Sequence, residues 1–353
     1  MMMKLKKRWM AFAAVVLAAA VVPLTSVPLT SSGASSAATK GWVIGVSNGY
    51  YGNTARAELE AEIKAYAALP SVKPHVKNVI INNAGTSVAA QVSAVDAMIA
   101  EHVNAILLDG ESVTAFRSAI EAAHRAGIPV VAYNTIVSSP VAYHVQTVGE
   151  KFGAVMMTGL LKLLHYKGNI VVLRGIAGNA VDAAEARGFN AVLKRHPNVH
   201  VLATVYPKWD TALAQTDMAS LLSRYSNIDG VFTEGGMEQG VVRAYVAAHR
   251  KFVPVSGTDE NGFACQLRQY HSQGLQGVQV GTAIWAGAVA LHVALGLLSG
   301  HKEPHTISGT WPEWTTTQSI AHCTPKLSPG LFLQVSSPAN GVTLTPAQVN
   351  KYL

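Results

Sequence analysis

Residues 43–54 read VIGVSNGYYGNT, and the reading of this stretch decides the fold. Gly45, Ser47 and Gly49 spell G-x-S-x-G, the nucleophile-elbow pattern of serine hydrolases, in which a strand feeds a strained turn and then a helix. The other reading is a buried strand that runs into a polar binding loop. An elbow also needs an oxyanion donor from an earlier strand, then an acid and a His further along. Ahead of Val43 lies only a leader-like segment, His271 follows Asp259 by little chain, and no HGGG run occurs. The binding-loop reading is preferred, with a secreted α/β hydrolase using Ser47 as the alternative.

In the leader, Lys4, Lys6, Lys7 and Arg8 precede the apolar run WMAFAAVVLAAAVVPL and the small-residue stretch TSSGASSAATK. That is the layout of a secretory signal peptide, residues 1–38, cleaved near Ala38. The run is short for a bilayer span, and Pro23 interrupts its end. No Cys lies nearby to carry a lipid anchor, so a periplasmic or extracellular protein is expected. These residues hold four basic side chains and no acid, so the net charge of +7 falls to +3 without them. That is too little for a nucleic-acid footprint. Cys265 and Cys323 permit one disulfide in an exported protein; two buried free thiols are the other possibility.

From Trp42 onward, short apolar runs alternate with helix-length segments. The runs are WVIGVS, NVIINN, AILLDG, IPVVAYN, NIVVLRG, VLATVYP, GVFTEG, FVPVSGTDE and GVQVG. They are continuous rather than alternating, as expected of strands covered on both faces. TARAELEAEIKAYAAL, TSVAAQVSAVDAMIAEH and SVTAFRSAIEAAHRAG carry helical spacing. In the last of these, Ser112 is placed to cap the start and Gly127 the end, before Pro129 opens the next strand. Repeated β–α units predict doubly wound parallel sheets, and nine or so strands suit two small sheets better than one. A break is expected near SSPVAYHVQTVGEK. The partition expected is an N-terminal lobe of 41–143 plus 262–303, and a C-terminal lobe of 144–261 plus 304–353 with an irregular tail.

Ligands of open α/β sheets sit beyond the carboxyl ends of the strands. At those ends here stand Asn48, Tyr51, Asn53 and Arg56, then Asn134, then Asn179 and Asp182. Trp209 and Asp210, Glu234, Asp259 with Glu260 and Asn261, and Gln279 complete the set. Amides and carboxylates match vicinal hydroxyls, and an aromatic face packs on the C–H face of a sugar ring, so the set suits a neutral polyol. Singly, each is as readily an Asx turn or a helix cap. Metal chemistry is disfavoured, because thirteen His include no H-E-x-x-H, and His196 and His200 flank the helix-breaking Pro197. RGIAGN lacks the G-x-G-x-x-G spacing of a dinucleotide site.

The order and spacing of these segments resemble the type I periplasmic binding proteins of ABC importers, the ribose- and galactofuranose-binding group, over roughly residues 41–300. GVSNGYYGNTARAE resembles that family's first strand, loop and helix, and IPVVAYNT the segment ending in an acidic sugar ligand. LRGIAGNAVDAAEARGF is similar to its G-x-x-G…R-G-F segment, YPKWD to its aromatic-plus-Asp turn and VSGTDENGF to its G-x-D motif. The resemblance implies two lobes joined by a hinge, a sugar ligand and an ABC permease as partner. It also implies a monomer with no catalytic residue, cofactor or metal. A sugar-sensing relative coupled to a membrane receptor is the nearest variant, whereas a repressor of this fold would carry a helix-turn-helix where the leader stands. The ligand-binding residues expected are Asn48, Tyr51, Asn53, Arg56, Asn134, Asp182, Trp209, Glu234, Asp259 and Gln279, with Trp209 stacking on the ring and Asp259 binding hydroxyls. Arg56 matches an arginine of the furanose-binding branch, where Trp usually precedes it and Ala55 stands here. Asn134 stands where Asp is usual, Ala183 where Arg is frequent, and Glu234 where Asn or Asp is common. These departures bear on the ligand rather than on the fold.

Overall fold

The continuous apolar runs are strands with a core on each face. In the computed structural model, which describes residues 41–49 and 52–353, β1 (Trp42–Asn48) is followed by α1 (Thr54–Ala67), β2 (Val76–Asn83), α2 (Val88–Ala100) and β3 (Ala105–Asp109). Then come α3 (Arg117–Arg125), β4 (Val130–Asn134) and β5 (Tyr143–Gln146). Ile44 and Val46 of β1, Ala105 and Leu107 of β3, and Val131 and Tyr133 of β4 enter one core, shared with α1. The intervening Val43, Ile106, Leu108, Val130 and Ala132 enter a second core on the opposite face, shared with α2 and α3. The period-2 alternation of a strand is therefore present, but both of its phases are apolar. The expected signal peptide lies outside the described residues, as does Tyr51.

The second half repeats the plan. α4 (Glu150–Leu163) leads into β6 (Gly168–Leu173), α5 (Ala180–Leu193), β7 (Val199–Val205), α6 (Thr211–Arg224) and β8 (Gly230–Thr233). α7 (Glu238–Ala247), β9 (Val255–Thr258), α8 (Asn261–Tyr270), β10 (Gly277–Val280) and α9 (Ala286–Leu298) come next. β11 (Thr306–Ser308), β12 (Glu313–Trp314), α10 (Thr316–His322) and α11 (Pro346–Val349) close the described chain. The sheet orders are β11-β5-β4-β3-β1-β2 and β12-β10-β9-β8-β6-β7. Every ladder is parallel except that of β12 with β10. All nine anticipated runs form strands and divide between two sheets. Each lobe is a doubly wound α/β unit.

Three strands were not anticipated: β5, β11 and β12 are short, and His and polar residues break their apolar pattern. Ser112 does not cap α3. The helix begins only at Arg117 after an N-cap, Phe116, that makes no side-chain bond, and Ser112 Oγ accepts from Ala115 N to close a turn ahead of it. Gly127 ends the helix as anticipated, at φ +75°.

Pairing also redraws the partition. β10 was expected in the first lobe but joins β9 in the second sheet, while α9 packs on α1, β3 and β4 of the first. The tail was expected on the second lobe, yet β11 returns to the first sheet and β12 to the second. Beyond α10, the buried Leu331, Phe332, Val342 and Val349 complete the first-lobe core over α1. These side chains cover apolar surface that α1 and α9 would otherwise leave to water, each stabilising the fold by about 1.5–3 kcal/mol. The described chain thus passes between lobes four times: from β5 to α4, β10 to α9, β11 to β12, and α10 to the tail.

Cys265 of α8 and Cys323 at the end of α10 form a disulfide, which resolves the choice left open by the sequence. It pins α10 to the second lobe before the tail crosses back. Replacing both cysteines with serine removes a cross-link spanning 58 residues. The expected loss is about 2–4 kcal/mol in urea unfolding; an unchanged midpoint would show that the tail is held without it.

Candidate functional site

A cleft of about 660 Å³, counting its mouth, opens where the carboxyl ends of both sheets meet the crossing segments. Its first wall begins at Asn53, the N-cap of α1, whose Oδ1 accepts from Arg56 N at 3.0 Å. That cap sets the first turn so that the buried Arg56 pairs with Asp109 at the end of β3. Asn134 ends β4 at φ +60°, a conformation Asn tolerates, and its Nδ2 lies 3.3 Å from both oxygens of Asp109. Beneath this wall, Asn48 donates to Glu60 Oε1 at 2.9 Å and Asn83 Oδ1 at 3.0 Å and accepts from the Tyr133 hydroxyl.

The second wall is built on Arg174, just after β6. Its Nε donates to Glu234 Oε1 at 3.3 Å, its Nη2 to Asp182 Oδ2 at 2.7 Å and its Nη1 to the Tyr206 hydroxyl at 2.9 Å. Glu234 Oε2 accepts from Gly175 N at 2.7 Å. Trp209, held at φ +57°, lies so close to Gly175 that a Cβ there would come within 2.1 Å of the indole. Glu185 on α5 also lines the cleft, beside Phe152 of α4. It is placed by the close approach of these helices, where a Cβ on Gly188 would lie 1.8 Å from Glu150 O and one on Gly153 2.3 Å from Glu185 O. Burial, reinforced by the neighbouring carboxylates, pushes the carboxyls of Glu185 and Glu234 well above their usual range.

The crossing segments close the base through Thr282, Ile284 and Phe332. Behind them the Asp259 carboxylate accepts four hydrogen bonds: Oδ1 from Thr282 N and Oγ1, both at 2.9 Å, and Oδ2 from Leu333 N at 3.0 Å and Gln334 N at 2.7 Å. Glu260 accepts from Thr54 Oγ1 of the first lobe at 3.2 Å and from Gln239 Nε2 at 3.0 Å. Asn179 Nδ2 also donates to Glu111 Oε2 at 3.2 Å, from one lobe to the other.

Of the ten residues named from sequence, Asn53, Arg56, Asn134, Trp209 and Glu234 meet at the cleft. Asn48, Asp182, Asp259 and Gln279 do not line it: each is buried and committed to internal bonds, Gln279 through Nε2 to the carbonyls of Thr258 and Glu260, both at 2.9 Å. Tyr51 lies outside the described residues. Ser47 is fully buried and its hydroxyl has no hydrogen-bond partner, so no base activates it. Sequence reasoning missed Asp109, Arg174 and Glu185. Asp109 was signalled as the acid that ends the apolar run AILLDG, and Arg174 as the cation that follows NIVVL. Glu185 is mid-helix and had no signal.

In sequence and in fold the chain is similar to known proteins. The family described as "Periplasmic binding protein domain" matches residues 44–302. A xylitol-binding protein of Mycolicibacterium smegmatis is 31% identical over 219 residues, 61% of each chain. A D-apiose import binding protein of Paraburkholderia graminis is 28% identical over 172 residues, 48% of this chain and 55% of its own. The chain therefore spans less than two thirds of the length of these relatives. Among solved structures, an ABC transporter solute binding protein from Thermobispora bispora superposes with a TM-score of 0.74 at 23% identity, over 88% of this chain and 94% of that one. A Mycobacterium smegmatis protein in complex with β-D-fucofuranose gives 0.69 at 18% identity, over 80% and 93%. At these identities the structural likeness is one of fold.

The buried carboxyls have a consequence for stability. Glu58, Glu62, Glu185 and Glu234 are all raised by burial, and Glu260 is pushed up to about 8 by burial and by Glu238. The unfolded chain releases these protons near the ordinary carboxylate pKa, about 4, while the folded chain holds them to higher pH, Glu260 to about 8, so stability falls as pH rises above about 4. Calorimetry should give a higher Tm at pH 5 than at pH 8; the reverse order would show that these groups are ionised in the fold.

Proposed function

The chain belongs to the periplasmic binding protein family, and from that premise we propose that it is the exported solute-binding component of an ABC importer. It captures a monosaccharide or related polyol between its lobes, closes on it by hinge motion and delivers it to a membrane permease. It is a binding protein, not an enzyme. The observation that carries this reading is the make-up of the cleft. Arg56 and Asn134 from one lobe face Trp209 and Glu234 from the other, with the crossing segments between them. A molecule rich in hydroxyls satisfies such a set from both sides, and only when the lobes are together. The names of the xylitol-binding and apiose-binding relatives support the same class of ligand.

The test is thermal stability against xylitol, ribose, arabinose, glucose, galactose and myo-inositol. A ligand at a thousandfold its Kd should stabilise by about 4 kcal/mol. No shift with any member would contradict the reading. With a ligand in hand, Trp209→Ala should weaken binding about thirtyfold, the ~2 kcal/mol scale of a buried aromatic anchor. Unchanged affinity would remove Trp209 from the ligand's contacts.

A further inference from the structure

The second wall carries more acid than base. Asp182, Glu185 and Glu234 are each no more than 3% exposed, and Arg174 is already divided between Asp182 and Glu234. Glu185 lines the cleft with its Oε2 buried and unpartnered, and Asp182 Oδ1 is likewise without a partner. The charged groups that act on Glu185 are Glu234 and Asp182, which oppose its ionisation, and Arg174, which favours it. The opposite wall brings no cationic excess, because Arg56 is paired with Asp109. A neutral polyol can hydrogen-bond to the protonated Glu185 carboxyl but supplies neither the further donors nor the positive charge that would hold it ionised beside Asp182 and Glu234. An ammonium group supplies both, with three N–H donors and a positive charge.

Two further observations favour such a group. Phe152, Trp209 and Phe332 line the same cleft, and aromatic faces attract ammonium. Among the described residues no group of three His, Cys, Asp or Glu side chains could hold a metal ion, so the carboxylates do not form a cage for an inorganic cation. Resting on the polyol-binding reading above, we propose that the ligand is an amino sugar or amino polyol whose ammonium group is bound by Glu185. Its hydroxyls then meet Arg56 and Asn134 on the facing wall, and Glu234 remains engaged with Arg174 and Gly175 N.

The experiment is calorimetric titration of the whole protein with matched pairs: glucose and glucosamine, galactose and galactosamine, sorbitol and 1-amino-1-deoxysorbitol. At least one amine should bind about tenfold more tightly than its hydroxyl counterpart, the scale separating a charge-assisted from a neutral hydrogen bond. Glu185→Gln should bring that ratio towards one. The ratio within a pair is the readout, so a general loss of folded protein cannot imitate the effect. If neutral members bind and no amine gains, the ammonium assignment is overturned while the polyol reading stands. A ratio that survives in Glu185→Gln overturns the role of Glu185. If no member of either series binds, both readings fall.

Discussion

Four hydrogen bonds converge on the Asp259 carboxylate, and all come from segments that run between the lobes. Removing a carboxylate from water costs several kcal/mol, and only such a full set of donors offsets it. Two backbone N–H groups of the tail and one of the segment after β10 find in Asp259 the partner that no sheet offers them. The base of the cleft is consequently tied together from β9, the strand that carries Asp259 at its end. Glu58 does the same from the other lobe, accepting from Phe332 N at 2.7 Å. Both walls are hung on these crossings, so the geometry of the site depends on a buried acid that does not itself line it.

That arrangement explains what could and could not be read from the sequence. The strands were legible because two covered faces leave no polar phase, as Ile44, Val46, Ala105 and Leu107 on one side and Ile106 and Leu108 on the other make plain. The loops after them were legible too, since Asn53, Arg56 and Asn134 lie directly at or just beyond strand ends. Depth was not. Asp259 and Asn134 both stand at strand ends, but one is consumed by donors from residues 282 and 333–334, far away in the chain, and the other reaches the cleft. Glu185 was hidden for a different reason: its place depends on how closely α5 approaches α4 through Gly153 and Gly188. The tail misled because its apolar residues are scattered among Ser, Pro and Thr and show their purpose only against α1.

Four of the eight non-glycine residues with positive φ among the described residues lie at or beside the cleft. Asn134, Lys208, Trp209 and Ala283 all have positive φ, at 60°, 59°, 57° and 53°. Each such residue costs of order 1–3 kcal/mol and persists only where its surroundings hold it. Three of the four line the cleft or adjoin its crossing segments, where fixed side-chain direction matters most. The two walls differ in their electrostatics. The first is a closed Arg56–Asp109 pair with Asn134 upon it, while on the second one guanidinium serves two of three carboxyls. On the proposed reading, shape would admit a hydroxyl-rich molecule to this cleft, and that asymmetry would tell one such molecule from another.

The most direct measurement is a crystal structure of the protein with whichever sugar or polyol raises its melting temperature. The account predicts one molecule between Trp209 and Arg56, in contact with residues of both lobes and with the crossing segments at its base. A ligand held by one lobe alone, or seated outside this cleft, would contradict it.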